Sequence, residues 1–456
     1  MGPEWVAILA LIALFVVGTV LPINMGALAY VAAWLVGMYS LNLDEKEILA
    51  GISADLVLTL IGVTYLFAIA RQNGTVDLIV RSSVKAVGGR VALIPWVMFA
   101  VTAVITAIGA ASPAACAIIG PIALGFAGRY RISALMMGMF VVHGAQAGGF
   151  SPISIYGTIT NSVMEENGLP SSELVIFFSS LLVNLVLAAI LFVVLGGRKL
   201  IGLRIDPETE EVADGPGGAG GGTSTHRDRT DALSGTGASP TTGTAPTATL
   251  VAERPEAGVR RDQVLTLLAF ALVAAVALGY DKNIGFVSIT AAVLLSMLSP
   301  LEYKDTVKQI AWPTVLLVAG VSTYATILTT AGSPEFVGNW AAGLGAAAIG
   351  ALILCYVGGV VSAFASSTAL LPVIIPIAIP LIAEGGIHAG VFVAALAVSS
   401  TIVDVSPFST NGALMLANRP ETITEQTYYK QILTYSVIVV LAGPLLVWAT
   451  LVLPNW

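Results

Sequence analysis

Two matched sets of serines stand in this 456-residue chain. Ser112-Pro113 is followed 39 residues later by Ser151-Pro152-Ile153-Ser154, and Ser367-Thr368 is followed at the same interval by Ser406-Pro407-Phe408-Ser409. A serine capping orphan N–H groups, with Pro at the first helical position, marks a helix N-terminus. Ser112-Pro113 therefore reads as a cap and the start of a helix, Ser367-Thr368 takes the same place in the second set, and the later Ser-Pro pairs read as breaks inside long helices. Four such N-termini converging would offer free N–H groups and partial positive charge, an anion site that needs no Lys or Arg. The anion-contact candidates are Ser112, Pro113, Ser151, Pro152, Ser154, Ser367, Thr368, Ser406, Pro407 and Ser409. One such serine alone is more often a packing hydroxyl bonded to its own helix; two sets with equal spacing favour function. Two ionisable residues share these apolar stretches. Asp404 immediately precedes the second break, and without a basic neighbour its carboxylate must hold a cation or stay protonated. His143, before the first break, fits a structural hydrogen bond as well as a functional role. Asp55 and Asp77, near the ends of apolar segments, read as solvated.

The elements that must position these residues follow from composition. The chain is 56% hydrophobic and 10% charged, with a mean hydropathy of +0.90, against about 25% charged for soluble domains. Apolar segments recur near 5–21, 24–39, 55–71, 91–109, 113–127, 133–165, 173–195, 263–279, 284–299, 313–330, 345–364, 368–383, 388–418 and 432–453. Many can cross a hydrocarbon core about 30 Å thick, so the expected class is an all-α polytopic membrane protein. The net charge of −7, with no basic patch interleaved with aromatics, excludes nucleic-acid binding. Cys116 and Cys355, both in apolar sequence, exclude a disulfide framework, and no positive region precedes Trp5–Leu21 as a cleaved signal would require. Segments 133–165 and 388–418 exceed one straight span and read as broken helices. Residues 76–90 are amphipathic and suit an interfacial helix. Segments 91–127 and 345–383 have uncharged tips, which suit re-entrant hairpins that stop inside the protein. Residues 203–262, with six basic and ten acidic residues and Gly/Thr/Ser/Pro-rich stretches, read as a disordered linker.

The two halves match each other. At an offset of 255, Ser112 pairs with Ser367, Pro121-Ile122-Ala123 with Pro376-Ile377-Ala378, Ser151-Pro152 with Ser406-Pro407, Ser154 with Ser409 and Gly157 with Gly412. Gly62-Val63 and Gly74 pair with Gly320-Val321 and Gly332 at 258. Polar, Pro and Gly positions coincide, which chance similarity among apolar residues does not explain. With the N-terminus outside and both hairpins returning to their side of entry, eighteen of twenty Lys and Arg residues lie inside, leaving Lys46 and Lys282 outside. Each half then crosses an odd number of times, so the copies are inverted. The expected division is a first repeat over 1–202 (scaffold helices 5–71, interfacial helix 76–90, hairpin 91–127, broken helix 133–165, helix 173–195), a cytoplasmic linker over 203–262, and an inverted second repeat over 263–456 (hairpin 345–383, broken helix 388–418). Each repeat has about five transmembrane helices plus a hairpin, both termini are extracytoplasmic, and inverted repeats around broken helices are a secondary-transporter architecture.

On these hairpins, breaks and the run Gly148-Gly149-Phe150-Ser151-Pro152-Ile153-Ser154, the chain resembles the ion-transporter superfamily. Within it the resemblance is to the divalent anion/sodium symporter group and most to MatC-type malonate and dicarboxylate carriers. That family places Ser-Asn-Thr at each hairpin tip, ten residues before a proline. Here the second tip reads Ser366-Ser367-Thr368 before Pro376, and the first Ala111-Ser112-Pro113 before Pro121, so the family's Asn is Ser in both copies. The resemblance implies an elevator-type, homodimeric, sodium-coupled symporter of malonate, succinate or malate in the cytoplasmic membrane. It also implies sodium sites involving Ser112 and Gly149 in the first half and Ser366 and Ser367 in the second, with Asp404 added from its own chemistry. Sodium is the expected coupling ion, or a proton in its place, and no cofactor is expected. The competing reading is a cation/proton antiporter or oxyanion exporter of the same superfamily, with Asp404 and His143 as the ion relay. An enzyme lacks support: there are no paired deep carboxylates, no His-x-x-x-His pair and no Ser/His/Asp set at membrane depth. The orientation is testable. A cysteine introduced at Gly218 should resist an impermeant thiol reagent on intact cells and one at Asn455 should label; the reverse pattern would overturn the orientation.

Overall fold

Helices make up almost every element of the computed structural model, which describes residues 2–21, 23–86, 88–204, 260–280, 282–342, 347–363, 367–385 and 387–454. The β pairing found among the described residues is an isolated bridge between Arg90 and Arg204. Local capping explains many of the starts. Asn24, Ser53, Ser133, Asn283 and Thr424 each accept a backbone N–H from the turn they precede, and Asp44 with Glu47 forms a capping box.

The first half runs Pro3–Val20, Met25–Ser40, Ala54–Gln72, the amphipathic Thr75–Ala86, the paired Ile94–Ala107 and Ser112–Arg129, then Ala134–Gly148, Ile155–Glu166 and Glu173–Val194. From Arg261 the order is Arg261–Tyr280, Ile284–Leu298, Trp312–Thr330, Ser333–Ala342, the paired Ala347–Ser362 and Ser367–Gly385, then Ala389–Thr401, Thr410–Ala417 and Glu425–Val447. Among the described residues, five helices are long and apolar enough to cross a membrane: Ala54–Gln72, Ser112–Arg129, Glu173–Val194, Trp312–Thr330 and Glu425–Val452. The 14 residues of Ile94–Ala107 rise only about 21 Å, short of the ~30 Å hydrocarbon core. Both long segments with a central Pro are interrupted where expected, between Gly148 and Ile155 and between Thr401 and Thr410. On Thr75–Ala86, Val76 and Val80 are buried while Asp77 is exposed, as an amphipathic helix requires.

One boundary differs from expectation. The segment expected as linker over 203–262 is ordered at both ends. The Leu203 carbonyl accepts from the Val91 N–H at 3.2 Å, and Arg261 and Asp262 already belong to Arg261–Tyr280. Charge and composition change at 203, but backbone pairing carries the fold to 204. Residues 205–259 lie outside the described residues.

Two groups of packed helices emerge. In the first, Met25–Ser40 packs on Trp312–Thr330 and Ala54–Gln72 on Ile284–Leu298. The crossings are made by glycines: a Cβ on Gly320 would overlap the Gly26 carbonyl oxygen, and one on Gly62 would overlap that of Gly285. Small residues that let backbones touch are a common basis of helix association in lipid. Asn73 Nδ2 donates to Thr266 Oγ1 at 2.7 Å, and the Tyr324 hydroxyl donates to the Ala7 carbonyl at 2.7 Å. In the second group, Ile94–Ala107 lies along Ala134–Gly148 and Ala347–Ser362 along Ala389–Thr401. The second arms cross between halves, Ser112–Arg129 onto Thr410–Ala417 and Ser367–Gly385 onto Ile155–Glu166. The glycine crossing yields a prediction. Gly320→Ala should cost about 1–3 kcal/mol through overpacking and lower the melting temperature in detergent. Gly125→Ala, whose Cβ meets nothing within 4 Å, should not; equal melting of both variants would show that the crossing is not tight.

Candidate substrate and cation site

The two breaks are held the same way. Ser151 Oγ donates to the Ala107 carbonyl at 2.9 Å and Ser406 Oγ to the Ala363 carbonyl at 3.1 Å, so each break is tied to the end of its hairpin's first arm. Ser154 then caps Ile155–Glu166 by accepting from the Gly157 N–H at 3.4 Å, and Ser409 caps Thr410–Ala417 by accepting from Gly412 at 3.2 Å. The hydroxyls of Ser154 and Ser409 also donate back, to the carbonyls of Ser151 and Ser406 at 2.7 Å and to those of Gly149 and Asp404. Pro152 and Pro407 sit buried inside these turns.

The hairpin serines do not act as the caps expected of them. Ser112 is itself the first helical residue; Ala111 occupies the cap position and makes no side-chain cap bond. The Ser112 hydroxyl instead accepts from Asn411 Nδ2 at 2.9 Å, a contact across 299 residues of chain. Ser367 likewise opens its helix, and its hydroxyl faces Asp404, with Oδ1 at 2.8 Å and Oδ2 at 2.7 Å. Ser362 Oγ lies 2.7 Å from Ser367 Oγ. A serine has one proton, so when Ser367 donates to the carboxylate Ser362 must donate to Ser367. Pro113 follows Ser112 within the first turn, and Ser366 lies outside the described residues.

Asp404 is 7% exposed. The side chains of Tyr156 and Ser362 also face it, and Tyr156 faces Thr368 and Ser367 as well. No Lys, Arg or His is among the described groups acting on it. The carboxylate is thus surrounded by oxygens contributed by the second hairpin, the second break and the first half's broken helix. Tyr156, Asn411 and Ser362 were not singled out from sequence. A signal was present, because the offset of 255 that pairs the break serines also pairs Tyr156 with Asn411. Among the described residues no group of three or more His, Cys, Asp or Glu assembles.

His143 sits apart from this cluster. It is fully buried, with Nδ1 2.8 Å from Asn184 Oδ1 and Nε2 2.6 Å from the Tyr435 hydroxyl, so both ring nitrogens have partners. Asp55 is not simply solvated: it accepts from Ser162 at 3.1 Å and from Asn283. A groove of about 630 Å³ between Glu173–Val194 and Glu425–Val447 is lined largely by apolar side chains with Thr427, Lys430 and Tyr435, and it lies outside the Asp404 cluster.

Two family models match the chain. Residues 1–149 match the N-terminus of the dicarboxylate carrier protein MatC, and residues 270–455 match a citrate transporter model. Together the two matches support a MatC-like dicarboxylate carrier. The families are transporters, not enzymes, and with this many apolar helices the carrier is a multi-pass membrane protein. No curated protein matches the chain.

The geometry of His143 carries a prediction. His143→Leu takes the partner from Asn184 Oδ1 and from the Tyr435 hydroxyl in the interior and should cost about 1–3 kcal/mol of stability, read as a lower melting temperature, while the cation concentration for half-maximal transport stays unchanged. A shift in that concentration would place His143 in ion coupling.

Proposed function

We propose that this carrier is a secondary active transporter of small dicarboxylates of the malonate, succinate and malate class, coupled to sodium by symport. The observation that carries the reading is Asp404: a buried carboxylate ringed by hydroxyls, with no basic residue beside it, at the meeting of a hairpin and a helix break. An uncompensated carboxylate is costly in such surroundings, and a bound cation removes that cost. Hydroxyl, carbonyl and carboxylate oxygens are the ligands hard cations take. The dicarboxylate would be held alongside, by the helix N-termini at Ser112-Pro113, Ser367-Thr368 and the two breaks, whose free N–H groups favour an anion. Because the hydroxyls of Ser154 and Ser409 are engaged in capping, their contribution is to hold the breaks open for backbone contacts.

In this reading the two halves are inverted repeats. The glycine-crossed helices of residues 3–72 and 261–330 form a fixed scaffold in a homodimer, and the hairpins with their broken helices move across the membrane as an elevator. The linker and the basic residues around Arg71, Arg129, Arg198 and Lys430 face the cytoplasm, and both termini face outward. The antiporter or exporter reading would use Asp404 and His143 as a relay; the separate hydrogen-bond partners of His143 speak against it. Proton coupling through Asp404 alone is the remaining rival.

Asp404→Asn separates these. It keeps the shape and hydrogen-bonding capacity but removes the charge. In proteoliposomes loaded to measure succinate uptake, the variant should need about tenfold more sodium or higher for half-maximal transport. Unchanged sodium activation would refute the coupling role. Loss of a pH dependence with sodium irrelevant in both proteins would replace sodium by a proton.

A further inference from the structure

Resting on the cation role of Asp404, we infer that the carrier binds one coupling cation per transport cycle, in the second half, and not a matched pair with one in each half. The halves keep the same frame of hairpins and breaks, so the position corresponding to each oxygen around Asp404 can be read directly. At the offset of 255, Asp404 corresponds to Gly149, Ser362 to Ala107, Thr368 to Pro113, Ser400 to Ala145 and Ser367 to Ser112. Of these five oxygen-bearing side chains only Ser112 survives in the first half.

The first half is also closed to a carboxylate. A Cβ at Gly149 would lie 2.8 Å from Tyr156 Cδ2 and 3.1 Å from the Ala145 carbonyl oxygen, so no acidic side chain fits where Asp404 stands in the other half. The Ser112 hydroxyl is already engaged. Asn411 Nδ2 donates to it at 2.9 Å, which occupies one of its two lone pairs. Tyr156, the counterpart of Asn411, faces a carboxylate in Asp404, whereas the Asn411 amide, whose Oδ1 is buried without a hydrogen-bond partner, has no acidic side chain at the position equivalent to Asp404. The two crossings between halves are equivalent in position, and what separates them is the carboxylate that only the second half carries.

The second half has donors to spare. Besides the Asp404 carboxylate and the hydroxyls of Ser362, Ser367 and Tyr156, the Ser400 carbonyl oxygen lies 3.3 Å from Ser367 Oγ. The Ser400 hydroxyl, on the same helix segment, is buried with no hydrogen-bond partner. A single carboxylate among neutral oxygens balances one monovalent cation. The dianion together with one such cation then moves one net negative charge, and this charge can be counted.

The test is a reversal-potential measurement of succinate flux in proteoliposomes under set sodium and proton gradients, with sodium-22 binding to the purified carrier as an independent count. One cation per succinate and one sodium per protomer are expected; two or more by either count would overturn the inference. If protons and not sodium shift the reversal potential, the sodium reading fails while a count of one still supports a single site. If no cation gradient shifts it, both fail. Variants locate the site. Ser362→Ala and Tyr156→Phe should each raise the half-maximal cation concentration by about fivefold or more, whereas Asn411→Ala should leave that concentration unchanged even where it slows transport. The opposite pattern would put the cation in the first half.

Discussion

A carboxylate buried among hydroxyls, with no positive charge described beside it, is the constraint around which this carrier is organised. An isolated ionised carboxylate in low dielectric costs several kcal/mol even after relaxation. Asp404 avoids that state only through its neighbours: Ser367 from the opening of the second hairpin's return arm, Ser362 from the end of its outgoing arm, and Tyr156 from the other half of the chain. Ser367 donates to the carboxylate and Ser362 supports Ser367 from behind, but none of the three side chains neutralises the charge. A cation bound there, as proposed, would be felt by the hairpin, by the break that carries Asp404 and by the first broken helix. Coupling between ion and conformation needs such a differential contact and nothing longer in range.

The rest of the fold keeps this cluster assembled. Ser151 and Ser406 tie each break to its own hairpin, Ser154 and Ser409 cap the helices that follow, and the second arms of the hairpins pack onto the opposite half. Hairpins and broken helices thus pack on one another, and they meet the other helices where Ser367–Gly385 lies on Trp312–Thr330 and Ile155–Glu166 on Ala54–Gln72. The helices that open each half form another set, joined by the Gly26–Gly320 and Gly62–Gly285 approaches. Backbone-to-backbone glycine crossings leave little room for sliding, whereas the proposed moving unit carries its polar cluster with it. That division is the physical basis for assigning scaffold and carriage as we do.

Much of this was legible in the chain. The breaks fall where Ser-Pro pairs interrupt apolar runs too long for one span, and the caps after them are the serines three residues on. Asp404 stood out as an acid in apolar sequence. The roles of Ser112 and Ser367 were misread, because a Ser-Pro pair looks like a cap locally while the actual partner of Ser112 is Asn411, 299 residues away. Tyr156 and Asn411 were missed for the same reason. Aromatic and amide residues two places into a helix carry no local mark of a contact to the other half, although the internal repeat placed them at equivalent positions. The linker limit at 203 was misjudged because composition changes before the backbone pairing of Leu203 with Val91 ends.

The central claim is that cation and dicarboxylate bind to one mutually dependent cluster. Equilibrium binding of radiolabelled succinate to the purified carrier, titrated at fixed sodium and then in equimolar potassium, tests it most directly. The account predicts tighter succinate binding in sodium, and by linkage an equal factor by which saturating succinate tightens sodium binding. Superimposable succinate isotherms in sodium and potassium would contradict it.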